Sequence, residues 1–527
     1  MPVDVGIGTV RPIDENVNRT EDRSQDHARR VGAGAMIGLA GGLLSFALAT
    51  AYQIIVARKI GPAGFGVLAL ALAIGTFLAE GSDLGLDYGV LRFGGIARTE
   101  GKPGVFRTIV RRAIGGTLAV GAVAGLALAV GSTLVATLFD KPALAPVLIP
   151  MALTAPFTAA TEVARAAMRT LGRAGRPVAS SSIIGPGIRL IAAIIAVTIA
   201  PSATAVAWGY LTSEALLCAT TAVMLWQLMP PADGSGFSNR RLLRFSLPMS
   251  LNRLLLYSNN QTEILFLGFL DTAATTGIFG VARRLSLLVG SALLTSFAIL
   301  FDPLVAGLHN EGRTGDLDAI FKTSTRWMFT LGLPLSLVEI LFAPEIMHVF
   351  GEGFERGAPA LAILAIGQLI NVGTGITSNL QAMAGYAKIT MFNSLLFLSL
   401  SIVLDLALIP SFGLVGAAIA NSTAVVTVNI LRLVQIKRRL RLVPYDRSFW
   451  RPLVACVPAS LIAFFVPLPS MHAAPEVLVH GAILGLVYFV ILWLLGIEQV
   501  DREVIRSTFA RLRGRRSSDT TRTPPGR

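Results

Sequence analysis

The chain has 527 residues, of which 53% are hydrophobic and only 14% are charged, and its mean hydropathy is +0.66. A soluble protein carries roughly a quarter of charged residues, so this composition excludes a soluble globular protein and indicates a surface that faces lipid. The basic residues behind the net charge of +14 lie in short loops beside apolar runs, which favours membrane lipids over nucleic acid as a partner.

Long apolar runs predict fourteen transmembrane helices, because each run can cross a hydrocarbon core of about 30 Å. The predicted spans are 33–57, 64–88, 113–138, 143–164, 178–200, 204–229, 245–270, 273–300, 327–344, 357–383, 389–410, 413–431, 452–469 and 476–496. The polar residues before the first run lack the short basic start of a cleavable signal, so the first span is expected to remain. No loop is long enough to hold a soluble catalytic domain, which argues against an enzyme.

The distribution of basic residues predicts the orientation of these spans. If the N-terminus is cytoplasmic, nearly all Lys and Arg residues outside the spans lie on the cytoplasmic side, as the positive-inside rule requires. The opposite side then holds only Arg58, Lys59, Lys141 and Arg356. Both termini are therefore expected in the cytoplasm, and the number of spans is expected to be even.

An internal repeat at an offset of about 212 residues places Gly66 opposite Gly277 and Gly172 opposite Gly385. It predicts an all-α integral membrane fold of two six-helix lobes in parallel orientation, followed by two further helices. The expected organisation is a cytoplasmic polar tail (1–32), a first lobe (33–230), a cytoplasmic linker (231–244), a second lobe (245–440), two additional helices (441–496) and a basic tail (497–527). Duplicated lobes are typical of carriers that work by alternating access.

Ionisable residues inside spans are costly, which makes them candidates for function. Glu80, Asp83 and Asp87 of the second span fall, at about 100° per residue, on one narrow face. We interpret them as coupling or gating residues. The alternative is a structural role at the cytoplasmic end of the span. Candidate partners for that role are Arg92, Arg98 and Arg111.

The seventh span carries a second polar cluster. Arg253, Tyr257, Asn260 and Glu263 share an arc of about 120°. Such a cluster suits a cavity for sugar hydroxyls and a diphosphate, with Glu263 in coupling or gating. An ion pair between Arg253 and Glu263 is the alternative, although a spacing of ten residues is too long for direct pairing on one helix.

Three further positions complete the candidate site. Arg189 follows the Gly-Pro-Gly of 185–187 inside the fifth span, so it must face a wet cavity or pair with Glu214. A planar guanidinium matches a phosphate well. Of the neighbours Arg283 and Arg284 in the eighth span, one is expected to line the cavity and one to pair or to reach the interface, and Arg284 is assigned to the substrate.

Four motifs carry a family resemblance. They are "RKIGPAGFG" at 58–66, "DLGLDYGVLRF" at 83–93, "EILFLGFLDTAATTGIFGVARRL" at 263–285 and "PSFGLVGAAIA" at 410–420. On them the chain resembles the Wzx-type polysaccharide-transport (oligosaccharide flippase) branch of the multidrug/oligosaccharidyl-lipid/polysaccharide exporter superfamily, although Glu263 stands where the family often has Asp. The resemblance implies a MATE-like fold and a substrate-facing Arg58.

The resemblance also implies a substrate and partners. Such proteins move undecaprenyl-pyrophosphate-linked oligosaccharide from the cytoplasmic to the periplasmic leaflet of the bacterial cytoplasmic membrane. A polysaccharide polymerase and a chain-length regulator are the implied protein partners. The related lipid II flippases share the Val-Ala-Arg end of the first span and an acidic end of the second, so they stay an alternative.

The sequence predicts no bound cofactor. "GPAGFG" lacks the Gly-Lys-Ser/Thr ending of a nucleotide-binding loop, and Cys218 and Cys456 lie inside apolar runs without zinc-ligand spacing. Proton or sodium coupling is left open. A multidrug exporter is a further alternative. Its cationic cargo would require a carboxylate in the cavity that is not neutralised by a nearby arginine. A scaffold without transport would leave the buried charges unexplained.

Overall fold

The computed structural model describes residues 14–173, 175–229, 236–467 and 473–496. The described residues are almost entirely helical, with no strand among them. The predicted basic tail lies outside these residues, as do parts of the polar tail and of the linker between the lobes. Since lipid offers the backbone no hydrogen-bonding partners, a chain with this hydropathy must satisfy its amides internally, which helices do.

The chain divides into two compact units. The first comprises residues up to Ile60 together with Leu70–Tyr257, and the second comprises Gly61–Ala69 together with the residues from Ser258 onward. The lobe boundaries expected from the repeat stay a prediction.

The first unit contains the helices before Tyr257. They are α1 (Asp14–Ser82, without Gly61–Ala69), α2 (Leu86–Gly89), α3 (Gly95–Thr99), α4 (Pro103–Val130), α5 (Ser132–Leu138), α6 (Leu144–Ala152), α7 (Ala155–Thr170), α8 (Gly175–Ala179), α9 (Gly185–Ile199), α10 (Ala203–Trp226) and the first half of α11 (Asn239–Leu270). Helix α4 packs closely on α6 and α7, where a Cβ atom at Gly121 would lie 2.6 Å from Pro156 Cα and one at Gly125 2.6 Å from Ala152 O. Small residues thus let these membrane helices approach each other.

The second unit begins with the second half of α11. It continues with α12 (Ala273–Asn310), α13 (Thr314–Leu341), α14 (Ala343–His348), α15 (Ala358–Gly373), α16 (Thr377–Met383), α17 (Ala387–Arg439), α18 (Trp450–Phe465) and α19 (Ala473–Leu494). Helix α15 packs against α12, α13 and α17. The last two helices pack on each other and on α13, where the Tyr488 hydroxyl donates a 3.0 Å hydrogen bond to the carbonyl of Thr330.

Two of the longest helices are each interrupted at a glycine. Gly61 in α1 has φ 68° and ψ 177°, and Gly413 in α17 has φ 52° and ψ −128°, which are backbone conformations that side chains with a Cβ atom rarely adopt. Pro62 then starts the next helical segment. Proline is favoured there because the first residues of a helix donate no backbone hydrogen bond within the helix. Each of these interrupted helices therefore corresponds to two predicted spans.

Within the described residues, seven helical segments are long and apolar enough to cross a membrane. Two of the seven, Leu44–Thr99 and Ala387–Arg439, contain the glycine breaks and account for four predicted spans. Each of the fourteen predicted spans overlaps one or more of the described helices. The prediction of an all-α, multi-pass membrane fold is confirmed.

The glycines that the repeat aligns, Gly66 and Gly277, contact each other in the second unit. A Cβ atom at Gly66 would lie 1.6 Å from the carbonyl oxygen of Ala273, and one at Gly277 would lie 2.2 Å from that of Pro62. We expect Gly66→Ala to destabilise the protein by about 3 kcal/mol, because backbone cannot move away as a side chain can.

Thermal unfolding in detergent measures this effect. Gly187→Ala is the matched control, because no atom lies within 4 Å of a Cβ atom there, and it should leave the melting temperature unchanged or slightly raised. Equal melting temperatures for the two variants would contradict the close approach.

Candidate functional site

The first unit holds a buried cluster of one arginine and three carboxylates, which we call the Arg253 cluster (Glu80, Asp83, Asp87 and Arg253). The Arg253 guanidinium donates to Asp83 Oδ2 at 2.8 Å and to Asp87 Oδ2, and its Nε lies 3.5 Å from Glu80 Oε2. The side chains of Asp83 and Asp87 are only 2% and 4% exposed. Arg253 also lies 5.0 Å from the ring of Tyr88.

A break in the backbone gives the cluster its shape. Leu84 and Gly85 have positive φ angles of 52° and 66°, which separate α1 from α2 and set Asp83 and Asp87 on either side of the turn. A Cβ atom at Gly85 would lie 2.3 Å from the carbonyl oxygen of Ser246, so α11 passes very close to the turn. Arg253 follows on α11 about two helical turns later, within reach of the carboxylates.

The Arg253 cluster contains more negative than positive charge. Three carboxylates share one guanidinium, and Oδ1 of both Asp83 and Asp87 is buried without a hydrogen-bond partner. Buried carboxylate oxygens without partners are costly unless a proton or a cation neutralises them. The negative charge of the three carboxylates therefore exceeds what Arg253 alone compensates.

Tyr257 stands one turn after Arg253 on the same helix. Its hydroxyl lies 3.3 Å from the carbonyl oxygen of Ala73, and its ring centroid lies 6.2 Å from that of Phe77. The side chain therefore packs along α1, next to the Arg253 cluster.

Arg189 and Glu214 form a second ion pair in the first unit. Arg189 Nε and Nη2 both lie 2.6 Å from Glu214 Oε1, while Thr158 donates to Glu214 Oε2 at 3.4 Å. Arg189 also lies 5.4 Å from the ring of Tyr210. Glu214 is almost fully buried, and the Arg189 side chain is about one-third exposed.

The second unit contains its own buried cluster, the Glu263 cluster (Glu263, Arg283, Asp405 and Asn421). Glu263 is fully buried, its Oε1 accepts a 2.5 Å hydrogen bond from Asn421 Nδ2, and its Oε2 lies 3.4 Å from Arg283 Nε. Asp405 interacts electrostatically with both Glu263 and Arg283. Both oxygens of Asp405 are buried without a hydrogen-bond partner, as is the hydroxyl of Ser401 one turn earlier. The cluster therefore contains two buried carboxylates and one guanidinium, which pairs with Glu263.

The structure brings some predicted site residues together and separates others. The acidic residues of the second span pair with Arg253 and not with Arg92, Arg98 or Arg111. Arg253 does not pair with Glu263, whose partner is Arg283. The remaining predicted substrate residues, Arg58, Asn260 and Arg284, have exposed side chains on α1, α11 and α12.

Asp405 and Asn421 belong to the site but were not predicted. Asp405 lies inside the predicted span 389–410, and an ionisable residue within a span is the signal that would have found it. Asn421 gave no such signal, because small polar residues are common where membrane helices pack.

Two relatives of known sequence match less than half of this chain. The probable flippase AglR of Haloferax volcanii is 20% identical over 219 residues, which are 41% of this chain and 46% of the relative. An uncharacterized membrane protein of Methanocaldococcus jannaschii is 27% identical over 212 residues, which are 39% of this chain and 49% of the relative. The chain thus spans about half the length of these curated relatives.

Solved structures share the fold over much more of the chain. The lipid II flippase MurJ, in an inward closed conformation, superposes with a TM-score of 0.73 at 13% identity and covers 89% of this chain and 100% of its own. An inward-facing multidrug resistance transporter of the MATE family, in the MOP superfamily, gives a TM-score of 0.64 at 14% identity and covers 77% of this chain and 98% of its own. At these identities the likeness shows the fold alone.

A family model covers more than half of the sequence. It matches residues 55–359, a range that contains the Arg253 cluster, the Arg189–Glu214 pair and both Glu263 and Arg283. The chain therefore belongs to the family described as polysaccharide biosynthesis protein.

Proposed function

We propose that the protein is a flippase that moves oligosaccharide linked to undecaprenyl pyrophosphate from the cytoplasmic to the periplasmic leaflet by alternating access. Family membership and the multi-pass membrane fold support the transport of a polysaccharide precursor. The product would be a lipopolysaccharide O-antigen, a capsule or an exopolysaccharide. The protein would lie in the bacterial cytoplasmic membrane with both termini in the cytoplasm and would deliver its cargo to a polymerase and a chain-length regulator.

One observation carries this proposal: Arg189, Arg253 and Arg283 lie within predicted spans, and each forms an ion pair with at least one carboxylate. A guanidinium inside a membrane protein attracts a diphosphate and repels a cationic drug. The same N–H donors that bind the carboxylates match the oxygens of a phosphate. Anionic cargo is therefore favoured over the cationic cargo of a multidrug exporter.

The surplus of carboxylates supports coupling to a cation. When a diphosphate takes donors from a guanidinium, a carboxylate loses its partner and must take up a proton or a sodium ion. We assign this coupling or gating role to Glu80, Asp83, Asp87, Glu214 and Glu263. Arg58, Arg189, Arg253, Tyr257, Asn260 and Arg284 are the proposed substrate residues. No bound cofactor is part of the proposal, and the protein is not proposed to be an enzyme.

The proposal predicts the phenotype of a deletion strain that has no redundant flippase. Lipid-linked oligosaccharide should accumulate on the cytoplasmic leaflet, where sugar-specific probes reach it only in inverted vesicles, and surface polysaccharide should fall to background. Complementation with the wild-type gene is the control. Normal surface polysaccharide in the deletion strain would contradict the proposal.

A second experiment separates this substrate from lipid II. The protein is expressed in cells depleted of their lipid II flippase, and growth is measured. We expect no rescue, because the proposed cargo carries a different sugar chain. Full rescue of growth would assign the protein to lipid II instead.

A further inference from the structure

Three phenylalanine rings pack together at one end of the first unit. The centroid of Phe93 lies 5.4 Å from that of Phe237 and 5.5 Å from that of Phe245. Phe93 is only 7% exposed and belongs to a five-residue turn of wider, π-helical geometry, Val90–Gly94. Such turns are frequent at functional sites, because they reorient a side chain within an otherwise regular helix.

Two arginines rest on these rings. The Cζ atom of Arg92 lies 4.4 Å from the centroid of Phe245 and 5.7 Å from that of Phe93, and the Cζ atom of Arg241 lies 5.3 Å from the centroid of Phe93. Both side chains are exposed, and within the described part of the chain neither guanidinium bonds a carboxylate. A guanidinium that stacks on a ring is held in place while the N–H groups along its edge stay available.

Three other arginines of this unit donate hydrogen bonds to the protein itself. Arg98 donates to the carbonyl of Thr170 at 2.5 Å, and Arg176 donates to the carbonyl of Met224 at 2.8 Å, each near the last turn of a helix. Arg112 donates to the carbonyl of Phe237 and, at 3.0 Å, to Asn239 Oδ1. These three arginines satisfy helix ends and a turn, so their donors are engaged by the protein itself. Among the residues that the structure describes, neither Arg92 nor Arg241 has such a partner.

The position of the pair along the sequence indicates its depth. Arg92 follows the predicted span 64–88 by about one turn, and Arg241 precedes the span 245–270 by about one turn. Residues immediately outside the hydrocarbon core lie at the level of the lipid headgroups. Arg240 and Arg244 add positive charge on the same stretch of α11.

We propose that Arg92 and Arg241 form a clamp that binds the phosphate diester of an anionic phospholipid headgroup. Ring-stacked guanidiniums offer parallel N–H donors to phosphate oxygens, and the phosphate supplies the negative charge that the pair lacks. Because the clamp joins α11 to the turn after α2, a bound lipid would hold these two elements together at the membrane surface. The clamp does not depend on the cargo of the transporter.

The test compares variants that remove or keep the same charge. The purified protein is titrated in detergent with dioctanoyl phosphatidylglycerol, and with dioctanoyl phosphatidylcholine as the neutral reference, at physiological salt. Arg92→Gln/Arg241→Gln should weaken phosphatidylglycerol binding about tenfold or more, since hydrogen bonds to charged groups are lost. Arg240→Gln/Arg244→Gln removes equal charge from exposed side chains and should weaken it at most a few-fold.

A second variant keeps the charge and removes the planar fork. Arg92→Lys/Arg241→Lys should also bind phosphatidylglycerol clearly more weakly than the wild type, while its melting temperature shows that it folds. Equal losses in the two glutamine variants, or wild-type binding in the lysine variant, would overturn the clamp in favour of diffuse attraction. Tighter binding of geranyl diphosphate than of phosphatidylglycerol would overturn the assignment to a membrane phospholipid.

Discussion

Arg283→Met is expected to destabilise the protein by roughly 3–5 kcal/mol, because it leaves the buried carboxylates of the Glu263 cluster without their guanidinium. Glu263 is fully buried and Asp405 already has two oxygens without partners, so neither group can turn to water. The variant should unfold at a lower temperature than the wild type.

A double variant separates the loss of the ion pair from the loss of packing. Arg283→Met/Glu263→Gln removes one carboxylate together with the guanidinium and should recover much of the lost stability. Arg284→Met is the matched control, since it removes the same charge from the next, exposed position and should cost less than about 1 kcal/mol. If Arg283→Met and Arg284→Met melted at the same temperature, the buried pair would not be a stabilising contact.

Arg253→Gln should abolish transport and destabilise the first unit by about 3 kcal/mol, because three carboxylates lose their shared guanidinium. Surface polysaccharide should fall to the level of the deletion strain. Arg253→Lys should be intermediate in stability, since an ammonium group retains the charge but cannot span several carboxylates as a planar fork does.

A triple variant then distinguishes a structural arginine from a transporting one. Adding Asp83→Asn and Asp87→Asn to Arg253→Gln removes the uncompensated charge and should restore the melting temperature. Surface polysaccharide should remain absent, because the variant has lost both the proposed substrate donor and the proposed coupling carboxylates. Restoration of transport together with stability would show that the Arg253 cluster only holds helices together.

Most residues of the candidate site could be located from the sequence, but most of the ion pairs between them could not. The acidic stripe of the second span, Arg189 and the polar face of the seventh span were all visible as ionisable residues within apolar runs. The alternative pair of Arg189 with Glu214 was also open to inference, because the two residues lie on consecutive spans. Arg253 lies 170 residues from Asp83, and nothing in the local pattern connects them.

The sequence predicts the helices but not their contacts, because hydropathy is a local property of the chain, whereas the contacts depend on how each helix is rotated and shifted against its neighbours. Membrane insertion depends on sums over about twenty consecutive residues, so composition and apolar runs by themselves determined an all-α, multi-pass membrane protein and the places of its helices. Which faces meet depends on the rotation and axial shift of each helix, and these follow from contacts such as that between Gly85 and Ser246. Only the tertiary structure could therefore decide that Asp83 and Asp87 share Arg253, and that Glu263 lies against Arg283 and Asn421.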